Sequence, residues 1–439
     1  MIMGRAVRTS APPLNGRSAQ PTPADLDWLP RMREFCELLW PPPAVVTLDA
    51  GGPGIHLSGA VRTRAKDRSR PEASTFVLVP GVRRPPLLVP ATNHAAAAAV
   101  RHYSGQRSRA ARLTTKALAF GLARGFAGAV LRGRVRVGAP PGTDTIETYL
   151  GALIPQGIQL SMYLGPARAN RKPVLQILTL AGEPVAFAKI GVTPLTRELV
   201  RAERASLARL DQARVAEITV PKVLHHDQWR GLEVLVLSAL PSWIRRRPLR
   251  AAKLAAAMNE VARVGGQRRE PLLGSEYLRR LRSRLEAADE GPERAALHRV
   301  LNDVAAQAGD VTLTYGAWHG DWAPWNMANT DHGLFVWDWE RFACGVPLGF
   351  DALHYRLQSQ VAPGRRSDPL AVASACAEGA AQLVAPFGVS GGEAQLTAIL
   401  YLTELATRYL VDRQAKAGAR LGAPGTWLIP AIATEVGRL

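Results

Sequence analysis

Cysteine is scarce in this chain: three residues among 439, Cys36, Cys344 and Cys376, widely separated and odd in number. That excludes a disulfide framework and a thiolate zinc centre, and reduced thiols in a cytoplasmic protein are the expectation. The nine histidines, His225, His226 and His354 among them, form no cluster with zinc-ligand spacing. Aromatic residues make up 6%, with no interleaving of rings and basic residues of the kind that stacks bases, so no specific nucleic acid is expected as partner. No run of about 18 apolar residues occurs, and the N-terminus lacks the apolar core of a signal peptide, so the chain is not expected to be transmembrane. Lysine is rare too, at 7 residues against 48 arginines. That bias is what a GC-rich bacterial genome gives, and it means that a lysine on an apolar strand asks for a reason.

Against these absences stands residues 319–340, HGDWAPWNMANTDHGLFVWDWE. A His-Gly-Asp triplet precedes an asparagine by five residues, Asp321 to Asn326, and the apolar run Leu334 to Trp337 then delivers Asp338, with Glu340 two positions on. Phosphoryl transfer needs this combination, because its loose transition state demands positioning and charge neutralisation more than covalent chemistry. Asp321, in a short loop, suits the group that accepts a hydroxyl proton. Asn326 offers a neutral oxygen and Asp338 a charged one to Mg²⁺, which takes its remaining positions from water and phosphates.

His319-Gly320-Asp321 with Asn326 and Asp338-Trp339-Glu340 resembles the aminoglycoside phosphotransferase and choline kinase-like family. The resemblance covers about residues 145–415. It implies an α+β, two-lobed protein-kinase-like fold, with a small antiparallel β-sheet lobe, a mainly helical large lobe and, here, an N-terminal extension. It also implies an ATP- and Mg²⁺-dependent enzyme, GTP being the other nucleotide, acting on a hydroxyl of a small molecule. Upstream, three strand-like runs fit the small lobe: Gly157 to Leu164, Val174 to Leu180 and Val185 to Ile190. Lys189 ends the third, where the family carries a phosphate-pairing lysine. Leu199, Ala202, Glu203, Leu207 and Leu210 recur at helical spacing, and Glu203 matches the glutamate that would fix the lysine, with Glu198 as competitor. The loop over the phosphates falls at Leu164–Pro173, where Gly165 offers backbone amides and Arg168, Arg171 or Lys172 offers charge. Residues 232–240 read as a buried strand leading to the hinge, with Ser238 to Leu240 as the adenine-binding stretch. His319 and Asp321 are the expected catalytic pair, Asn326 and Asp338 the metal ligands. Asp351 and Glu340 are the structural supports, Asp351 bracing the catalytic loop from a helix start.

The expected organisation is a disordered tail at 1–24, a basic region at 25–140, the small lobe at 141–240 and the large lobe at 241–439. Helices are expected near 250–264, 276–288, 292–307, 369–386 and 393–416, and short strands around a turn at 76–90. Residues 1–150 carry 21 Lys and Arg against 9 Asp and Glu, most of a net charge of +19. Arg109, Arg112 and Lys116 share one helical face, with Leu113, Phe120 and Leu131 available for another, which leaves two readings of residues 1–140 open: a basic helix docked on the small lobe, or contact with an anionic surface. Residues 340–439 hold 8 acids and 9 bases, a balance that suits a neutral or anionic metabolite such as a sugar or a polyol at least as well as a polycationic aminoglycoside; an amino alcohol completes the range of acceptors. Two other classes stay open: a catalytically silent kinase-fold scaffold, and a membrane or nucleic-acid tether acting through the basic region. Retention of Lys189, Asp321, Asn326 and Asp338 together speaks for the enzyme.

Overall fold

In the computed structural model the described residues are 28–49, 55–58, 74–81, 84–102, 109–126, 131, 133–163, 165–242, 244–362 and 367–439. The expected tail at 1–24 lies outside them.

Alternating apolar positions build one sheet from both the front of the chain and the expected small lobe. Its strands are β1 (Val45–Asp49), β2 (Ile55–Ser58), β3 (Ser74–Gly81), β4 (Arg84–Pro90), β5 (Arg134–Gly138), β6 (Ile158–Tyr163), β7 (Val174–Thr179), β8 (Pro184–Gly191), β9 (Val223–Trp229) and β10 (Leu232–Ser238). They lie in the order β2-β1-β5-β3-β4-β6-β7-β8-β10-β9. The expected boundary at residue 140 therefore does not bound the sheet. Leu87 and Leu88 of β4 pair antiparallel with Tyr163 and Met162 of β6, so the N-terminal strands cover an edge that a lone small lobe would leave open to other chains.

Both faces are covered by helices. On one, α1 (Leu29–Leu39) and a later helix, Ile146–Leu153, bury Met32, Phe35, Leu39, Ile146 and Leu150 against Val46, Val135, Leu160, Ile177, Ala188 and Val234. This core takes strands from both halves, and Trp40 Nε1 ties them further by donating to Glu147 Oε2 at 2.9 Å. On the other face α2 (Asn93–His102) and α3 (Arg109–Ala123) pack Ala95, Ala99 and Leu122 on Val77, Val89 and Leu178. The alanines of α2 let it approach closely: a Cβ on Gly182, at φ +88°, would stand 2.8 Å from the His94 carbonyl carbon. Only glycine fits there. Ile146–Leu153 is α4; α5 (Pro194–Ala213) follows β8, started by Pro194 and a reciprocal Thr193/Thr196 cap.

The rest of the chain is mainly helical: α6 (Ala251–Ala262), α7 (Glu276–Glu286), α8 (Pro292–Ala308), α9 (Phe350–Val361), α10 (Pro369–Glu378), α11 (Ala380–Val384), α12 (Gly391–Val411) and α13 (Leu428–Val436). The single helix expected at 369–386 breaks at Gly379 into α10 and α11. Two small sheets carry the motif, β11 (Arg268–Pro271), β12 (Thr312–Trp318) and β15 (Ala343–Pro347) in one, β13 (Met327–Thr330) and β14 (Gly333–Val336) in the other. The result is the expected two-lobed α+β architecture, with α5 shared between lobes: Val200, Leu207 and Leu210 join the large-lobe core. Among the described residues no single helix is long and apolar enough to cross a membrane.

Candidate active site

The loop between β12 and β13 presents Asp321. A positive φ of 81° at Gly320 turns the chain, and a Cβ there would run into the Arg341 carbonyl oxygen; no other residue fits this corner. The turn is fixed from α9, whose first residues bring the buried Asp351 carboxylate under the loop. It accepts from His319 N at 2.7 Å and Gly320 N at 3.2 Å, which satisfies two buried amides. Burial raises the Asp351 carboxyl to about 7 against the lowering effect of these two bonds. Arg408, buried on α12, donates to Gly320 O at 2.6 Å with its guanidinium over the Trp318 ring.

Each Asp321 carboxylate oxygen has a partner. Asn326 Nδ2 donates to Oδ2 at 2.9 Å and to the Asp321 carbonyl at 2.9 Å, which orients the Asn326 amide. His354 Nε2 lies 3.0 Å from Oδ1, and its Nδ1 3.0 Å from the Tyr401 hydroxyl. Burial lowers the pKa of His354, so the ring is neutral, donating from Nε2 and accepting at Nδ1. Against the raising effect of burial, the hydrogen bond from His354 and the nearby Arg408 guanidinium hold Asp321 below the usual carboxylate range.

His319 departs from its expected place in the catalytic pair. Its ring is fully buried, Nδ1 accepting from Asp321 N at 3.1 Å and Nε2 donating to Trp337 O at 3.1 Å. Burial lowers it to about 4. A neutral ring with both nitrogens spent on backbone cannot reach a substrate; it joins the Asp321 loop to the strand end before Asp338 as a positioning residue.

The second cluster gathers at Asp338, a non-glycine residue held at φ 74°, ψ 53°, the left-handed region that aspartate tolerates better than most. Lys189 Nζ lies 2.6 Å from both oxygens of Glu203 and 2.7 Å from Asp338 Oδ1. Glu203, and not Glu198, is therefore the helix partner, and its Oε1 also accepts from Trp339 N at 3.2 Å. Burial pulls the Lys189 ammonium down, but Asp338, Glu203 and Glu340 outweigh it and raise its pKa. Burial pushes Asp338 the other way, and Lys189 and Lys172 hold it well below the carboxylate range. Carboxylate oxygens of Glu203, Asp338 and Glu340 lie within 4.8 Å of one another. Glu340, expected as a support, is buried and ion-paired with Lys172, and its Oε1 accepts from Asn170 Nδ2 at 3.1 Å.

Other expectations fare differently. Ser238 ends β10 but spends its N–H on Lys222 O at 2.8 Å and accepts Lys222 N on its hydroxyl at 2.9 Å. Ala239 N is likewise taken by Val185 O, and Leu240 O accepts from Ser242 N at 2.7 Å. The Ser238 amide is thus spent at the strand end, while its hydroxyl accepts there and keeps its own hydrogen free to donate. A Cβ on Gly165 would meet only Arg171 Cγ at 3.6 Å, so the space around it does not require glycine. Arg168 is exposed, and Arg171 lies 5.6 Å over the Phe35 ring of α1; Lys172 is the loop cation turned toward Asp338. The sequence reading passed over His354, Tyr401 and Arg408. The spacing Asp351 to His354, one helical turn, was the available signal for the first; the other two sit on α12, far away in sequence.

The profile of the phosphotransferase enzyme family matches residues 176–349, from within β7 to the residue before α9. The match spans about two fifths of the chain. Over that stretch the chain is similar to enzymes that transfer phosphoryl groups. No curated protein matches the sequence. Similar solved structures include a fructosamine-3-kinase-like protein from Haemophilus somnus 129PT at 13% identity, covering 67% of this chain and 96% of that one with a TM-score of 0.40. Aminoglycoside phosphotransferase APH(4)-Ia is 13% identical, over 66% of this chain and 97% of its own, with a TM-score of 0.45. A GDP and kanamycin complex of a 2″-aminoglycoside phosphotransferase is 14% identical, over 66% and 98%, with a TM-score of 0.43.

Proposed function

We propose that this protein is a phosphotransferase that moves the γ-phosphoryl group of ATP, or of GTP, to a hydroxyl of a small, neutral or anionic molecule such as a sugar or polyol, with Mg²⁺. The observation that carries the reading is the convergence of Asp321, Asn326, Asp338 and Lys189, four residues spread over 150 positions, in one place where the side chain of each has a hydrogen-bond partner. Hard oxygen donors, one amide and one or more carboxylates, are the set Mg²⁺ takes from protein, and Asn326 and Asp338 would hold it. Bound there, the metal would neutralise charge on the nucleotide phosphates. Lys189, fixed by Glu203, grips phosphate; Asp321, both oxygens oriented, receives the acceptor hydroxyl and takes its proton as the oxygen attacks in line.

The acceptor class follows from charges already spent. Of the large-lobe carboxylates suited to a polycation, Asp412 is paired with Arg341, Glu404 with Arg284 at 2.6 Å, and Glu378 lies 3.7 Å from Arg438. Neutralised groups give little pull on an aminoglycoside.

Residues 73–143 contain no Asp or Glu and 11 Lys and Arg. Within them Leu113, Phe120 and Phe126 are 69%, 60% and 60% exposed, and Arg124 lies 4.7 Å over the Phe120 ring. This combination supports an anionic membrane surface as partner; the facing of Arg109 and Arg112 lies outside the described side chains. Free thiols and a need for ATP support a cytoplasmic setting. Salt-sensitive binding to phosphatidylserine vesicles, lost in Phe120→Glu, tests the surface.

For the chemistry, product nucleotide release is measured with ATP and GTP against panels of sugars, polyols, amino alcohols and aminoglycosides. Asp321→Ala should abolish turnover while keeping nucleotide binding; Asp338→Ala should lose metal-dependent nucleotide binding. Turnover of Asp321→Ala equal to wild type would sink the assignment.

A further inference from the structure

Residues 165–173, between β6 and β7, contain one glycine, Gly165. A loop so composed has few ways to wrap its amides around a triphosphate, which is how glycine-rich loops and backbone nests bind. It carries cations instead, and they point in different directions. Arg168 is exposed and Arg171 rests on Phe35. Lys172 is buried against Glu340, whose other oxygen takes Asn170 Nδ2, while Ala169 N donates to Gln414 Oε1 at 3.2 Å. Three successive contacts thus pull the loop down onto the large lobe beside Asp338.

Two ammonium groups, Lys189 from β8 and Lys172 from the loop, meet three carboxylates there, Glu203, Asp338 and Glu340. Carboxylates outnumber ammonium groups in the cluster by one. A buried lysine needs an anionic partner in every state of the site, since a lone buried charge is costly. A metal-bound triphosphate brings a competitor for the carboxylates and, in the same place, a more highly charged anion for the lysine.

We propose that Lys172 is a second nucleotide-contacting cation. It holds Glu340 before nucleotide enters, then exchanges that carboxylate for the terminal phosphates, drawing residues 165–173 over them. The inference rests on the nucleotide-dependent phosphotransfer proposed above. It makes the loop selective for phosphate number and not for the base, because Lys172 lies at the Asp338 end of the cleft and the strand end at Ser238 lies away from it.

The test is calorimetric titration of the full-length protein with ATP, ADP and adenosine in the presence of Mg²⁺. Lys172→Met should weaken ATP at least tenfold, ADP less, and adenosine by no more than twofold. ATP binding by Lys172→Met as tight as wild type, or tighter, overturns the proposal and leaves the lysine a latch; equal weakening of all three ligands overturns it as well. Should Lys172→Met fail to fold, Glu340→Gln serves: in metal-free buffer the freed lysine should tighten ATP severalfold without changing adenosine, and unchanged or weaker ATP binding overturns the proposal. Wild-type protein that binds neither ATP nor GTP would sink the phosphotransfer reading itself, which separates the two failures.

Discussion

Replacing His354 by alanine should slow the reaction without loosening the nucleotide. His354 has no place in the phosphate cluster; its two ring nitrogens bridge Asp321 Oδ1 and the Tyr401 hydroxyl, each at 3.0 Å. The substitution removes a buried hydrogen bond to a charged group, worth about 1.5–3 kcal/mol, and frees the Asp321 carboxylate to turn about its remaining bond to Asn326. If that orientation is used in full when the acceptor attacks, at about 1.4 kcal/mol per factor of ten, kcat falls roughly 10- to 150-fold. KM for the nucleotide should stay within about twofold, because Lys189, Glu203 and Asp338 are untouched. The assay is steady-state release of product nucleotide at saturating acceptor, with the melting temperature as a folding control. Stability should fall too, by about 2–4 kcal/mol, from the emptied space and the unpaired Tyr401 hydroxyl. A folded variant whose kcat lies within twofold of wild type would refute the claim that His354 positions the base, as would a rise in nucleotide KM at unchanged kcat.

Asp351→Ala strips acceptors from two buried amides, at about 1–3 kcal/mol each, so its melting temperature should fall by several degrees, whereas Asp351→Asn, which keeps one acceptor, should lose about half as much. His319, lowered to about 4 by burial, is neutral when folded and titrates at about 6.5 when unfolded; its contribution is complete above pH 6.5 and is lost as pH falls toward 4. That amounts to about 2 kcal/mol by pH 5, visible as a slope in denaturant midpoint against pH that flattens in His319→Gln. Gly320→Ala must move the catalytic loop off the Arg341 carbonyl and should cost about tenfold or more in kcat; wild-type turnover would show the corner to be slack. A chain starting at residue 139 opens the β6 edge and removes half of the core around Trp40, so it should aggregate on size-exclusion chromatography, and a stable monomer would contradict the shared sheet.

The local chemistry of the site was legible in the chain because it is written over short distances. His319 to Asp338 spans one loop and one hairpin, so the order Asp321, Asn326, Asp338 follows from backbone reach. Lys189 to Glu203 is one strand end and three helical turns, and periodicity alone left Glu198 open until packing turned Glu203 inward. The helices of the large lobe showed through their apolar stripes, while β9, with the sequence VLHHDQW, was hidden because an edge strand with one polar face lacks a clean alternation.

What the sequence could not decide is everything that depends on partners far apart in the chain. That β1–β5 extend the small-lobe sheet rests on four residues of β4 and β6 meeting across more than seventy positions, a pairing that no local pattern encodes. That Asp321 is held by His354, Gly320 by Arg408 and Glu340 by Lys172 rests on α9, α12 and the β6–β7 loop arriving together. The sequence by itself determined which chemistry the chain carries, because spacing sets what a loop can present. Tertiary structure alone decided which buried charge meets which, because burial makes a polar group choose a partner by proximity in space.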